Sequence, residues 1–276
     1  MHQHFGLTLG RTCCINWLHR LGFVQKRPLK RLVKADAARR EAFVAEYAAL
    51  CAQAQADGAK VFFVDEAHFR ADVEVRQMWV QKGQPALIDS TSPKLSEKAT
   101  YYSAVCLETG EIEAMTVEQA CTAETTVAFL KQLRQQHEAP LIVIWDNGPM
   151  HRGVEIREYL ATPDLRLRLV ALPAYSPDFN ADEAVWDWIR EDATANTCFG
   201  TAHAVRQRVD SFIASLADRV DAVKRRCRTR LQAHAERLIA QRQLDAVALK
   251  LNTRPRQTLG WKTPAQALAA AVAMTG

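Results

Sequence analysis

Two aspartates in this chain each come directly after a run of apolar residues. Asp65 follows Val61–Val64, and Asp146 follows Leu141–Trp145. A carboxylate at the end of a buried strand is costly unless the protein pairs it or supplies a cation. In open α/β sheets this end of the strands is also where ligands bind. One such aspartate is typical of the start of a turn, but two of them predict a shared metal site.

A third acidic side chain is expected from the helix that is predicted after Pro177. Acids in a first helical turn also favour the helix dipole, so these residues alone do not select one candidate. Three acids suit phosphoryl transfer, because two divalent ions roughly 4 Å apart can stabilise the attacking and leaving oxygens. Mg²⁺ and Mn²⁺ prefer oxygen ligands such as carboxylates. The candidates are Asp178, Asp182, Glu183, Asp187 and Glu191.

The periodicity of the chain predicts the elements that would position these acids. Apolar, β-branched runs and alternating segments predict strands, while apolar residues at helical spacing predict helices. Strands that alternate with helices imply an α/β core, and an early hairpin makes the sheet mixed. Strands are expected at 61–64, 73–80, 101–107, 111–117, 141–145 and 165–172, and helices at 8–21, 35–56, 122–137, 153–160, 180–191, from 201, and 217–250.

Composition narrows the class of protein. The 276 residues are 48% hydrophobic and 24% charged, which predicts a globular chain, and the net charge of +5 permits a polyanionic partner. The seven cysteines include no Cys-x-x-Cys pair, which favours free thiols in a reducing cytosol. No apolar run is long enough to cross a membrane, and the N-terminus has no secretory pattern. A cytoplasmic protein without a membrane partner is expected.

Three strings of residues resemble one family. They are Val64–Glu66, Trp145–Asn147 with His151 close behind, and Leu172–Asn180 followed by Glu183–Trp186. Together they resemble the catalytic core of bacterial insertion-sequence transposases in the Tc/mariner superfamily. The third string, Leu-Pro-Ala-Tyr-Ser-Pro-Asp-Phe-Asn, is the most specific of them. Trp79 with Lys82-Gly83 is similar to the second-strand signature of that family.

The resemblance implies a ribonuclease H-like fold and a catalytic, metal-ligating set of Asp65, Asp146 and Glu183. It also implies two Mg²⁺ or Mn²⁺ ions, a homodimer, and double-stranded DNA as partner, cleaved at transposon ends and joined to target DNA. The 36 residues between Asp146 and Glu183 suit the bacterial members. Asp182 lies next to Glu183, so the third ligand could be either residue.

Two basic clusters are predicted to contact DNA phosphates. The second has five cations within seven residues and no acid among them, although a solvated helix face is the alternative. The clusters are Arg27, Lys30, Arg31 and Lys34, and Lys224, Arg225, Arg226, Arg228 and Arg230.

The resemblance also suggests how the chain is divided. We expect a partial helix-turn-helix and basic linker at 1–34, a connecting helix at 35–58, a ribonuclease H-like catalytic domain at 59–200 and a helical basic region at 201–276. Members of the family usually begin with two helix-turn-helix units, of which only the last helix is recognisable here. A truncated remnant that only binds DNA, or a related ribonuclease H-like nuclease, is therefore the alternative. The segment 251–264 resembles the end of a different group of insertion-sequence transposases.

Overall fold

The computed structural model describes residues 10–24, 35–90, 97–118, 120–148, 151, 153–254 and 263–273. The chain divides into two compact units, Met1–Lys34 and Ala35–Gly276. The first unit contains helix α1, Arg11–Arg20. This helix begins after Gly10 and ends where Gly22 takes a positive φ of 82°, as a glycine after a helix commonly does.

The second unit holds the predicted α/β core. Thr122 and Thr201 accept hydrogen bonds from backbone N–H groups of the helices they begin, as expected of N-caps. Its elements are α2 (Ala37–Asp57), β1 (Lys60–Arg70), β2 (Lys98–Cys106), β3 (Ile112–Val117), α3 (Ala123–Gln136), β4 (Leu141–Trp145), α4 (Val154–Leu160), β5 (Leu167–Ala171), a 3-10 turn (Pro177–Phe179), α5 (Glu183–Asp192), α6 (Ala202–Leu216), α7 (Val220–Cys227), α8 (Arg230–Asn252) and α9 (Pro264–Ala273).

The five strands form one mixed sheet in the order β3-β2-β1-β4-β5. β1 pairs antiparallel with β2 and parallel with β4, and β4 pairs parallel with β5. The predicted mixed sheet is therefore confirmed. β1 and β4 lie at its centre, which explains why their sequences read as continuous apolar runs.

Alternate residues of β1 face two separate hydrophobic cores. Phe63, Ala67 and Phe69 lie in the core that is completed by helices α2, α5, α6 and α7. Phe62 and Val64 lie in the core that is completed by α3 and α4. Because successive side chains of a strand point to opposite faces, every residue of β1 is assigned to one of these two sides.

The strand predicted at 73–80 is wrong. Only Glu74 forms an isolated bridge there, to Ala195, and the side chain of Trp79 is fully exposed. The prediction fails because β1 extends to Arg70 and, with β2 and β4 on either side, leaves no central position for another strand.

The single long helix predicted at 217–250 is two helices. The break falls at Arg228–Thr229, where Thr229 and Gln232 form a capping box that begins α8. Side-chain capping of this kind satisfies the backbone N–H groups that a new helix exposes, so it competes with an uninterrupted helix.

Candidate active site

Asp65 does not follow the first central strand, as the sequence suggested, but lies within it. β1 continues to Arg70, and Asp65 is paired with Ser103 on the antiparallel strand β2. It shares the face of the sheet occupied by Phe63 and Ala67, which is the side covered by α5.

Asp146 directly follows β4, as predicted. The parallel register of β1 and β4 pairs Phe62 with Val143 and Phe63 with Ile144. Continuing this register by two residues brings Asp65 and Asp146 to corresponding positions of neighbouring strands. The two aspartates predicted to share a metal site therefore lie side by side, at the carboxyl end of β4.

Asp182 and Glu183 reach the same region from the beginning of α5. Asp182 is fully buried, and one of its carboxylate oxygens accepts a hydrogen bond from the hydroxyl of Ser103. Its other oxygen, Oδ1, has no hydrogen-bond partner within the part of the chain that the structure describes. Glu183 is half-buried. Ser103 thus lies beside Asp65 of β1 and binds Asp182 at the start of α5.

The charges of these carboxylates act on one another. Burial raises the pKa of Asp65 well above its usual range, and the charges of Glu183, Asp182 and Glu66 raise it further. Burial also raises the pKa of Glu183; Arg190 opposes this, while Asp187 and Asp146 add to the rise. Glu183 is therefore near enough to influence both central aspartates. Such mutual repulsion favours binding of a cation.

The most specific string of the sequence fixes α5 against β1. Arg40 donates two hydrogen bonds, of 2.9 and 2.7 Å, to the carboxylate of Asp178 and lies over the ring of Phe179. Asn180 donates to the carbonyl of Val64 at 3.1 Å and accepts from the amide of Asp182 at 3.2 Å. Asn180 therefore links the residue before Asp65 to the start of the helix that carries Glu183.

The loop after β4 is held by its own hydrogen bonds. Oδ1 of Asp146 accepts from the amide of Gly148 at 2.7 Å and lies 3.0 Å from Nδ1 of His151. Asn147 donates to the carbonyl of Leu172 at 2.6 Å, which ties this loop to the one that follows β5. These contacts restrict the direction of the Asp146 carboxylate.

His151 is buried between two acids and an aromatic ring. Its ring stacks on Trp145 at a centroid distance of 4.1 Å, and Nε2 lies 2.7 Å from Oε1 of Glu66. Burial lowers the pKa of His151, but hydrogen bonds to Asp146 and Glu66 outweigh it and raise the pKa to about 9. The imidazole is therefore charged at neutral pH.

Comparison with protein families identifies the chain. The family described as DDE superfamily endonuclease matches residues 60–206, which include all the acids described above. The chain belongs to the DDE superfamily of endonucleases. A second family, described as winged helix-turn helix, matches residues 1–47. The relationship that the three strings predicted is thus confirmed.

This DDE-family chain also resembles individual proteins. It is 24% identical over 206 residues to the insertion element IS630 uncharacterized 39 kDa protein of Shigella sonnei. The aligned region covers 73% of this chain and 57% of that relative. The chain spans less than two thirds of that relative's length.

The fold is similar to that of solved transposase structures. The mariner Mos1 paired end complex with Mg matches with a TM-score of 0.61 and 18% identity, over 83% of this chain and 70% of that chain. The Mos1 mariner paired end complex with Mn matches with a TM-score of 0.58 and 17% identity, over 82% and 71%. The predicted ribonuclease H-like fold is confirmed by this likeness.

The basic residues of the DDE-family chain have different surroundings. Arg27, Lys30, Arg31 and Lys34 lie outside the described residues. On α7 and in the turn before α8, Arg226 pairs with Glu191 and Arg228 pairs with Glu236. Lys224, Arg225 and Arg230 form no ion pair with a described residue.

Trp186 and Trp188 lie two positions apart on α5. Both are buried, because α5 is enclosed between the sheet and the helices that follow it. Trp186 packs against Phe69 and Tyr101 of the central strands, while Trp188 packs against Phe212 of α6. A helix with neighbours on two sides can bury residues that are two positions apart.

Sequence reasoning did not assign roles to Glu66 and Ser103. Glu66 could have been recognised from its position next to Asp65 in an alternating strand, but its partner His151 is 85 residues away.

Among the described residues, no three His, Cys, Asp or Glu side chains stand close enough to hold a metal ion as they are. No described helix is both long and apolar enough to span a bilayer.

Proposed function

We propose that this chain is a transposase that cleaves DNA strands at transposon ends and transfers them into target DNA. The observation that supports the proposal is the strand register that brings Asp65 beside Asp146, with charge interactions between Glu183 and both aspartates, within the region matched by the DDE superfamily endonuclease family. Solved structures with a similar fold include the Mos1 strand transfer complex and the mariner Mos1 paired end complex.

In this proposal Asp65, Asp146 and Glu183 hold two Mg²⁺ or Mn²⁺ ions. The residues fit such ions, because all the donors are carboxylate oxygens and because burial, followed by repulsion from neighbouring acids, raises the pKa of Asp65. The bound ions would activate the attacking oxygen and stabilise the leaving oxygen. Since the acids do not form a ready-made cage, binding would have to draw them closer together.

The proposal assigns Glu183, and not Asp182, as the third ligand. Glu183 is electrostatically coupled to both Asp65 and Asp146, and it is only half-buried. Asp182 is fully buried and is engaged by Ser103. We propose that Asp182 instead stabilises the start of α5 through its hydrogen bond with Ser103.

DNA binding is proposed to involve both the N-terminal and the C-terminal parts of the chain. The winged helix-turn-helix match at 1–47 supports assignment of the first unit, with its basic linker, to duplex binding. Within the second cluster, Lys224, Arg225 and Arg230 are the better candidates for phosphate contacts, because Arg226 and Arg228 already pair with acids. Binding through charge should weaken steeply with salt. A homodimer that holds two ends completes the proposal.

The test uses duplexes that carry the DNA flanking the encoding gene on either side. With Mn²⁺ or Mg²⁺, the wild-type chain should nick these ends and join the freed 3′-hydroxyl to a target plasmid, while Asp146→Asn retains DNA on a filter without cleaving it. Cleavage without joining would favour the related nuclease, and binding without cleavage would favour the DNA-binding remnant. The proposal fails in both cases.

A further inference from the structure

We propose that Glu66 and His151 act together as a strut that positions Asp146 relative to Asp65. The inference rests on the proposed function, in which Asp146 is a metal ligand. It assigns a role to two residues that do not themselves face the metal ions.

The alternation of β1 excludes Glu66 from the acid cluster. Asp65 faces the core that is completed by α5, whereas Glu66 points to the side of Phe62 and Val64, which is covered by α3 and α4. An acid that lies directly next to Asp65 is thereby directed away from Glu183. Its side chain is only 12% exposed, so it needs a partner on that side.

His151 supplies that partner and connects it to Asp146. Its Nε2 lies 2.7 Å from Glu66, and its Nδ1 lies 3.0 Å from Oδ1 and 3.1 Å from the backbone carbonyl of Asp146. Both ring nitrogens are thus engaged, and the side chain is only 2% exposed. The ring cannot approach DNA or a metal ion without leaving these contacts.

The stack on Trp145 makes the connection rigid. The planes of the two rings differ by only 4°, and Trp145 is the last residue of β4. The strut therefore runs from β1, through a ring that is fixed on β4, to the aspartate that follows β4. Because its contacts to the carboxylate, like that of Gly148, are to Oδ1, they also determine where Oδ2 points.

Hydrogen-bond partners of a metal ligand commonly change metal affinity about 10- to 100-fold when they are removed. We therefore expect Glu66→Ala to weaken Mn²⁺ binding to the full chain about 10-fold in isothermal titration without DNA. Glu66→Gln keeps an oxygen acceptor for Nε2 and should recover most of the affinity. This rescue separates a hydrogen-bonding role from a general effect on folding.

Two substitutions at His151 divide the strut into halves. An asparagine amide can replace Nδ1 and keep the contact to Asp146, whereas a glutamine amide can replace Nε2 and keep only the contact to Glu66. In a strut both halves are required, so His151→Asn and His151→Gln should each weaken Mn²⁺ binding about as much as Glu66→Ala. The double variant Glu66→Ala/His151→Asn should be no weaker than either single one, because the interaction is already broken.

His137 provides a matched control. It is also a buried histidine on the same side of the sheet, lies 5.0 Å from the ring of Phe62 and is near Glu113, but it follows α3 at the opposite end of the strands. His137→Asn should leave Mn²⁺ affinity unchanged even if it lowers the melting temperature.

The outcomes separate the two proposals. If the wild-type chain binds Mn²⁺ and the Glu66 and His151 variants bind it with the same affinity, the strut is overturned. The proposed function is unaffected by that result. Equal losses in the His137 variant would overturn the strut as well, because they would reveal a nonspecific effect of stability. A wild-type chain that neither binds Mn²⁺ nor cleaves DNA would overturn the proposed function and the strut together.

Discussion

Carboxylates beside the first residue of the central strand β1 and carboxylates around its middle have opposite surroundings. At its first residue, Nζ of Lys60 lies 2.7 and 3.0 Å from the two oxygens of Glu111. Burial alone would raise the pKa of Glu111, but Lys60 and Thr109 lower it overall. Around the middle of the strand, burial raises the pKa values of Asp65, Asp182 and Glu183, and acids face other acids.

The lowered pKa of Glu111 indicates an acid that stabilises the fold, whereas the raised pKa values of the clustered acids indicate residues that destabilise it. An acid that gains a cation contributes to stability, whereas clustered buried acids oppose folding. Proteins retain such clusters where function requires them, at some loss of stability. The same five-stranded sheet therefore carries a stabilising ion pair at the start of β1 and a destabilising acid cluster around the middle of that strand.

The largest expected effect comes from removing a charge at the acid cluster. Asp65→Asn should reduce metal-dependent cleavage at least about 1000-fold, because it removes a ligand of the ions that stabilise the transition state. Without divalent metal it should raise the free energy of unfolding, on the order of 1 kcal/mol, since a repelled buried charge is gone. Cleavage assays and denaturant titration would check both effects. Normal cleavage by this variant would remove Asp65 from the site.

A second substitution pair tests the two adjacent acids of α5. Glu183→Gln should abolish cleavage, while Asp182→Asn should weaken it only about 10-fold, because Asp182 contacts Ser103 and only one of two neighbouring helical residues can face the ions. Both variants should retain DNA on a filter. Single-turnover cleavage rates with Mn²⁺ would decide the order, and the reverse order would make Asp182 the ligand.

The features of the acid cluster that the sequence predicts are those that depend on residues adjacent in the chain. Apolar runs before Asp65 and Asp146 predicted both central strands and the meeting of the two aspartates. The sequence does not predict the full length of β1, because the polar residues Asp65 and Glu66 interrupt its apolar run. Only pairing with β2 shows that the strand continues.

Contacts between distant residues could not be predicted in this way. The choice between Asp182 and Glu183 depends on Ser103, which reaches α5 only through the packing of β2. The link from Glu66 to His151 likewise joins β1 to the loop that follows β4. Neither residue pair leaves a periodic signal, so no spacing rule would have indicated them.

A smaller effect is expected on the pH dependence of stability without metal. The raised pKa values of Asp65, Asp182 and Glu183 mean that the folded chain holds protons that the unfolded chain has released. Their contribution to stability is therefore complete below the ordinary carboxyl pKa of about 4 and is lost as the pH rises through the folded-state values. Urea titrations in EDTA should give a steeper decline with pH for wild type than for Asp182→Asn.

Adding Mn²⁺ should reverse that decline in the wild-type chain. A ligand that binds only the folded state stabilises it by about 2.7 kcal/mol at a concentration 100 times its Kd. The gain should be much smaller in Asp65→Asn, which lacks one of the proposed ligands. An equal gain in both proteins would mean that the ion binds elsewhere.

The smallest effect is expected for the ion pair at the first residue of β1. The side chains of Lys60 and Glu111 are 27% and 39% exposed, so solvent screens their ion pair and its loss should cost at most about 1 kcal/mol. Because the pKa of Glu111 is lowered, its contribution is present above the ordinary carboxyl pKa and disappears as the pH falls through the folded-state value. Glu111→Gln should therefore lower stability at pH 7 and match wild type in acid, opposite in sign to Asp182→Asn. Since Glu111 pairs with Lys60 at the first residue of β1 and not with the acid cluster, cleavage should be unchanged. A loss of cleavage would show that the ion pair and the acid cluster are not independent.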